Sequence, residues 1–122
     1  KLTSFWSGDN CNTGACTGTG LCEKDFQVNS KGWYTYQGRI VLAGATYACL
    51  NSRSGGCAKY NTKYDYIKYY NYYDKVNIKI DGVVYPGIIL DSCGACMTNR
   101  IIDLFVSNGK YEMYRTKVYL EP

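Results

Sequence analysis

A strand, a two-residue turn and a second strand can be read between residues 76 and 90, and this run constrains the fold most. Val76 to Ile80 alternates apolar and polar side chains, as a strand with one buried face does. Asp81-Gly82 favours a tight hairpin turn, and Val83 to Leu90 continues as a largely apolar strand. The sequence therefore predicts an antiparallel hairpin with one strand buried in the core.

Other β-prone runs, separated by glycine-containing turns, extend this pattern over the chain. They are Thr3 to Trp6, Trp33 to Tyr36, Arg39 to Ala43, Ala45 to Leu50, Ile101 to Val106 and Glu112 to Leu120. The second and third of these flank a turn at Gln37-Gly38 and predict another hairpin. A chain of 122 residues is long enough for one modest core, so we expect a single domain over residues 1–122. Many short strands with little room for helices predict a mainly β fold, a small closed or half-closed barrel.

Seven cysteines are many for this length and favour disulfides in an oxidising, extracellular location. We predict a bond between Cys49 and Cys57. Further bonds are expected within the N-terminal trio of Cys11, Cys16 and Cys22, or from that trio to the pair Cys93 and Cys96. The alternative is a structural zinc held by four thiolates, with Cys93-Gly-Ala-Cys96 as one knuckle.

The chain contains no histidine, which excludes whole classes of chemistry. Serine and cysteine hydrolases with a catalytic histidine, and histidine-ligated catalytic zinc, all need an imidazole. The net charge of +4 comes from scattered lysines and arginines, which favours an anionic surface such as a bacterial wall over nucleic acid. No run is long and apolar enough to span a bilayer.

Two aspartates stand twelve positions apart, each beside apolar strand residues. Asp91 follows Ile88-Ile89-Leu90, and Asp103 lies within Ile101 to Phe105. Burial against apolar side chains raises the pKa of a carboxyl and prepares it to act as a general acid. The alternative is structural: Asp103 bonded to Arg100 or to backbone amides, and Asp91 serving a turn.

Tyrosine is concentrated between residues 60 and 73, where seven occur within fourteen positions. Its ring can stack on a sugar while its hydroxyl bonds the sugar hydroxyls, so the segment could line a glycan cleft. The alternative is that some of these rings pack beneath the barrel.

Residues 83–108 resemble a known family. The run Asp91-Ser-Cys-Gly-Ala-Cys-Met followed by Arg100-Ile-Ile-Asp-Leu-Phe-Val-Ser is similar to the 3D domain, which is named for three aspartates. That domain is a double-psi β-barrel related to membrane-bound lytic transglycosylase A and, more distantly, to rare-lipoprotein-A, barwin, expansin and family 45 endoglucanase barrels. The resemblance implies a six-stranded double-psi β-barrel with disulfide-stapled loops.

The resemblance also implies roles for both aspartates. Asp103 matches the aspartate that acts as acid and base in such transglycosylases, and Asp91 matches the aspartate that positions or tunes it. The third family aspartate has no counterpart in the region Ala43 to Cys49. We name as candidate glycan contacts Trp6, Tyr47, Tyr69, Ser92, Thr98 and Asn99.

The implied function is lytic transglycosylase cleavage of the β-1,4 bond between N-acetylmuramic acid and N-acetylglucosamine in peptidoglycan, with no metal or cofactor. A simple glycoside hydrolase is the next possibility. The same scaffold also suits a noncatalytic, expansin-like glycan-binding barrel or a barwin-like structural or inhibitory protein. We expect a monomeric mature product or module of a larger secreted, wall-associated or phage-tail protein.

Overall fold

The computed structural model describes residues 2–6, 16–107 and 119–121; for Phe5, Trp6 and residues 119–121 it describes the backbone alone. Eight strands are defined in this part of the chain: β1 (Leu2–Trp6), β2 (Gln27–Val28), β3 (Tyr34–Tyr36), β4 (Arg39–Gly44), β5 (Lys75–Ile80), β6 (Val83–Ser92), β7 (Ile102–Val106) and β8 (Tyr119–Glu121). One short α-helix, α1, spans Tyr47–Leu50. Single 3₁₀ turns lie at Glu23–Asp25, Gly55–Cys57 and Ala95–Met97.

All eight strands belong to one mixed sheet that curls into a half-barrel. The order is β1-β7-β4-β6-β5-β8, and β3 pairs with both β4 and β2. Two pairings are parallel, β1 with β7 and β4 with β6, and both join strands distant in the chain. The prediction of a mainly β fold is confirmed.

The two predicted hairpins form as expected. β5 and β6 pair antiparallel through Asp81-Gly82, and β3 and β4 pair through Gln37-Gly38. All four turn residues have positive φ, between 50° and 81°. This backbone is typical of a type I′ turn, whose twist matches that of the strands.

The strand predicted at Ala45 to Leu50 is wrong, because its last four residues form helix α1. The backbone amide of Cys49 donates to the Thr46 hydroxyl at 3.1 Å, so Thr46 is the N-cap. The predicted strands at Thr3 to Trp6 and Ile101 to Val106 correspond to β1 and β7. Of the strand predicted at Glu112 to Leu120, residues 112–118 lie outside the described residues, and β8 covers its end.

Three clusters form the core. The first lies on one face of the sheet and includes Leu2, Leu42, Ile78, Ile89 and Leu104, all fully buried. The second combines Phe26, which precedes β2, with residues of β3, β4, β6 and β7: Tyr34, Val41, Ile88, Leu90 and Phe105. The third packs α1 and the turns against one another: Ala45, Cys49, Ile67, Tyr69, Cys96 and Met97.

Three disulfides are present among the described residues, and each closes a short loop: Cys16–Cys22, Cys49–Cys57 and Cys93–Cys96. The predicted Cys49–Cys57 bond is confirmed, and the N-terminal trio supplies a bond of its own. Cys93 and Cys96 bond to each other rather than to that trio, so these two thiols do not form the zinc knuckle. Cys11 lies outside the described residues.

Candidate functional site

The two predicted aspartates lie on either side of one residue in the middle of the sheet. Ala43 on β4 is the register partner of Asp103 on β7 and also of Asp91 on β6. Neighbouring strands are spaced by roughly 4.8 Å, so the two aspartate Cα atoms are about 10 Å apart. Directly paired residues point to the same face of a sheet, and both aspartates are half-buried. The fold therefore brings together two carboxyls that stand twelve positions apart in the sequence.

A bulge in β6 sets this alignment. Leu42 pairs with Ile89, whereas the next residue, Ala43, pairs with Asp91. Leu90 is therefore the extra residue, and it packs into the second core cluster. Bulges turn the following side chain to a new direction and are frequent beside functional sites.

Asp103 is held from the first strand. The Thr3 hydroxyl donates to Oδ1 of Asp103 at 2.8 Å and also lies 3.4 Å from the carbonyl of Ile102. Thr3 is the register partner of Asp103 in the parallel β1–β7 pair. A hydroxyl donor at this distance fixes the orientation of the carboxyl.

Asp91 is held by two backbone amides and by burial. The amides of Gly18 and Ser92 donate to Oδ1 of Asp91 at 2.8 and 2.9 Å. Burial raises the pKa of the Asp91 carboxyl above its ordinary value of 3.8, although the two amides act in the lowering direction. Asp91 therefore has the raised pKa that the sequence predicts for an acid among apolar neighbours.

Three hydroxyls form a chain directly behind Asp91. The Ser92 hydroxyl is 2.6 Å from that of Thr46 and 2.8 Å from that of Tyr72. Thr46 is fully buried and caps helix α1, so it links the third core cluster to β6. Ser92 and Tyr72 are half-buried, and they place hydroxyls beside the carboxyl where a sugar could be bonded.

The loop closed by Cys16–Cys22 packs over Asp91. The amide of Gly18 donates to Asp91 itself. The backbone amide and the hydroxyl of Thr19 both donate to the carbonyl of the preceding residue, Leu90, at 3.3 and 3.2 Å. A Cβ added at Gly18 would lie 2.4 Å from the Tyr72 hydroxyl and 3.1 Å from Oδ1 of Asp91. Only glycine allows so close an approach, so this loop is fitted to the carboxyl and the phenol together.

The candidate glycan contacts are dispersed. Ser92 joins the hydroxyl chain beside Asp91. Tyr69 is buried in the third cluster, where its hydroxyl accepts from the backbone amide of Tyr64 at 3.1 Å. Tyr47 is half-buried, with its ring centroid 5.7 Å from that of Tyr69. The side chain of Trp6 lies outside the part of the chain that the structure describes.

Thr98 and Asn99 follow the turn that contains the Cys93–Cys96 disulfide. The carbonyl of Thr98 accepts from the Tyr66 hydroxyl at 3.1 Å, and the side-chain amide of Asn99 donates to the carbonyl of Ala95 at 3.0 Å. Asn99 therefore stabilises the turn itself, and Thr98 connects the turn to Tyr66. Asn99 is also exposed.

Sequence reasoning missed four residues that build the site: Thr3, Gly18, Thr46 and Tyr72. The role of Thr46 could have been predicted, because threonine is a common N-cap at the start of a helix. Tyr72 was visible only as one of seven clustered tyrosines. Gly18 contacts Asp91 and Thr3 contacts Asp103, at sequence separations of 73 and 100 positions. No local sequence pattern predicts contacts over such separations.

A scan against models of known protein families gives no match to this chain, and searches of curated proteins and of solved structures also give none. Among the described residues, no helix has the length and apolar character needed to cross a membrane. No group of three or more cysteine, aspartate or glutamate side chains in that same part of the chain is arranged to hold a metal ion.

Proposed function

We propose that this domain cleaves the glycan strands of peptidoglycan as a lytic transglycosylase, with Asp103 as acid and base and Asp91 as the supporting carboxyl. The observation that carries the proposal is the placement of the two aspartates on either side of Ala43, on the two strands that flank β4. Their match to the two aspartates of the 3D-domain pattern supports the same assignment. The mixed pairing, with β1 parallel to β7 and β4 parallel to β6, supports a double-psi barrel as the scaffold.

The reaction needs one carboxyl that works twice. Asp103 in its acid form protonates the glycosidic oxygen as the bond to the anomeric carbon of N-acetylmuramic acid breaks. The resulting carboxylate then takes the proton of the 6-hydroxyl of the same sugar as that oxygen attacks the anomeric carbon. The products are a 1,6-anhydro end and a free 4-hydroxyl, and Asp103 returns to its acid form. Thr3 orients the carboxyl through both steps.

Asp91 supports the reaction as a carboxyl held in a fixed position. Two amides hold its Oδ1 in place, and Ser92 and Tyr72 place hydroxyls next to it. These groups suit the binding of sugar hydroxyls and of the positive charge that develops at the anomeric centre. The three disulfides are compatible with an extracellular location, and we propose that the protein is secreted to a cell wall or carried on a phage particle.

Mass spectrometry of the soluble products from purified peptidoglycan tests the proposal. The parent domain should release 1,6-anhydro-muropeptides. Asp103→Asn should lower the rate by about 10²–10⁴-fold, the contribution usual for a general acid and base. Asp81→Asn, the same change in an exposed turn, is the matched control and should leave the rate unaltered.

Two results would change the assignment. Products with a reducing end would mean hydrolysis, in which a second carboxyl is required, with Asp91 as the first to test. Binding to peptidoglycan without products, in a correctly folded parent domain, would contradict catalysis and favour a glycan-binding barrel.

A further inference from the structure

Several exposed cations of the described residues lie around the tyrosine-rich segment and the turn that precedes β7. Five exposed cations define what we call the basic surface: Arg53, Lys59, Lys63, Lys68 and Arg100. Asp65 is the only acid between residues 51 and 70, so the five cations and this acid together carry +5 − 1 = +4. The rest of the chain has 14 − 5 = 9 basic and 10 − 1 = 9 acidic residues and is neutral. These six residues therefore account for a charge equal to the net charge of the chain.

The residues beneath the basic surface pack mainly against the third core cluster. Tyr47, Tyr60 and Tyr64 pack against that cluster, as does Cys57, which is bonded to Cys49 at the end of the loop that carries Arg53. The Tyr64 and Tyr66 ring centroids are 5.4 Å apart, which joins the position of Arg100 to the same group. The basic surface is therefore one connected patch on a rigid base.

Most of these cations are held over tyrosine rings. Lys59 lies 5.2 Å from the ring centroid of Tyr60, Lys63 lies 5.8 Å from that of Tyr47, and Lys68 lies 6.0 Å from that of Tyr70. The guanidinium of Arg100 lies 5.9 Å from the ring centroid of Tyr66 and donates to the Tyr66 carbonyl at 3.2 Å. Such contacts hold each charge in place while it stays exposed to solvent.

We infer that the basic surface binds an anionic polymer whose charges are phosphodiesters and whose repeating unit has no flat base, a polyol-phosphate chain of the kind linked to peptidoglycan. Cations set over separate rings suit a flexible chain with regularly spaced charges. Single-stranded nucleic acid is bound by stacking its bases on open aromatic faces. Here a cation lies over a face of Tyr47, Tyr60 and Tyr66, so the surface offers charge more than stacking.

The role of this polymer as a component attached to the substrate rests on the proposed function. Binding of the polymer by the basic surface does not. The surface would retain the domain on the wall while the aspartate site acts on the glycan. Binding can be measured with purified polymer and the Asp103→Asn variant, which keeps the basic surface intact. Failure of cleavage and failure of polymer binding are thereby separate results.

The test is binding of purified poly(glycerol phosphate) to the full chain, followed by tryptophan or tyrosine fluorescence over a range of salt concentrations. The variant K59Q/K63Q/K68Q/R100Q should bind about tenfold or more weakly at low salt. Its plot of log affinity against log salt should be shallower by about 0.7 for each lost contact, the value typical of single-stranded polyphosphates. The control K24Q/K31Q/K75Q/K79Q removes equal charge from exposed positions elsewhere and should bind like the parent chain.

Three results would overturn the inference. The first is equal weakening in both variants, which would mean unspecific attraction to net charge. The second is tighter binding to a thymidine oligonucleotide of equal charge than to poly(glycerol phosphate). The third is no binding of the parent chain at low salt. Circular dichroism of both variants establishes that each is folded before the comparison.

Discussion

At the scale of single residues, the site depends on the carboxyl of Asp91, whose burial disfavours its charged form. Asp91 accepts two backbone amides but is buried enough that its pKa stays raised. The folded protein therefore binds the Asp91 proton more tightly than the unfolded chain does. Asp91 contributes most to stability below its ordinary pKa of 3.8, and that contribution is lost as the pH rises through the raised value.

Asp91→Asn should therefore raise the thermal unfolding midpoint at pH 7. The asparagine Oδ1 can still accept from Gly18 and Ser92, while the cost of burying the charge is removed. The gain over the parent chain should shrink as the pH falls towards 3.8, measured by calorimetry at a series of pH values. Asp65→Asn, at an exposed position, is the control. A gain that stays constant from neutral pH down to 3.8 would contradict this account.

At the scale of elements, the two hairpins show how far local sequence decides structure. Both turns require positive φ at two successive residues, which asparagine, aspartate and glycine adopt most readily. The β5–β6 turn uses Asp81 and Gly82, the preferred types. The β3–β4 turn has Gln37 at φ 52°, a longer side chain that tolerates this conformation less well.

Gln37→Asn should raise the free energy of unfolding by about 0.5 kcal/mol, because asparagine enters the left-handed region at lower cost. Gln37 is exposed, so no packing is lost. Urea titration followed by fluorescence measures the change. Asp81→Asn, which replaces one favourable turn residue by another, should change stability less. A loss of stability in Gln37→Asn would refute the turn argument.

At the scale of the whole molecule, the fold depends on β1, the first strand of the chain, which pairs with the distant strand β7. Its parallel pairing with β7 brings together residues 100 positions apart, Leu2 with Ile102 and Thr3 with Asp103. Leu2 is fully buried in the first core cluster. The three disulfides join cysteines only three to eight positions apart, so they do not replace this contact.

Leu2→Ala should lower the free energy of unfolding by about 2–5 kcal/mol, the cost usual for a cavity in a packed core. The matched control is Val83→Ala, a strand residue that is 52% exposed, which should cost about 0.5 kcal/mol or less. Urea unfolding of both variants measures the difference. A loss at Leu2 no larger than at Val83 would show that β1 does not carry the fold.

The sequence by itself determined the hairpins, the Cys49–Cys57 bond and the two aspartates as the residues to examine. These are encoded locally, by alternation, turn dipeptides, short spacing and a motif. Helix α1 was missed because β-prone Tyr47 to Leu50 follows the capping Thr46, and the tertiary contacts of Thr46 with Ser92 favour the helix. Only the tertiary structure decided that Ala43 separates the aspartates, since the bulge at Leu90 and the pairing of β4 with both β6 and β7 are set by packing of the whole chain.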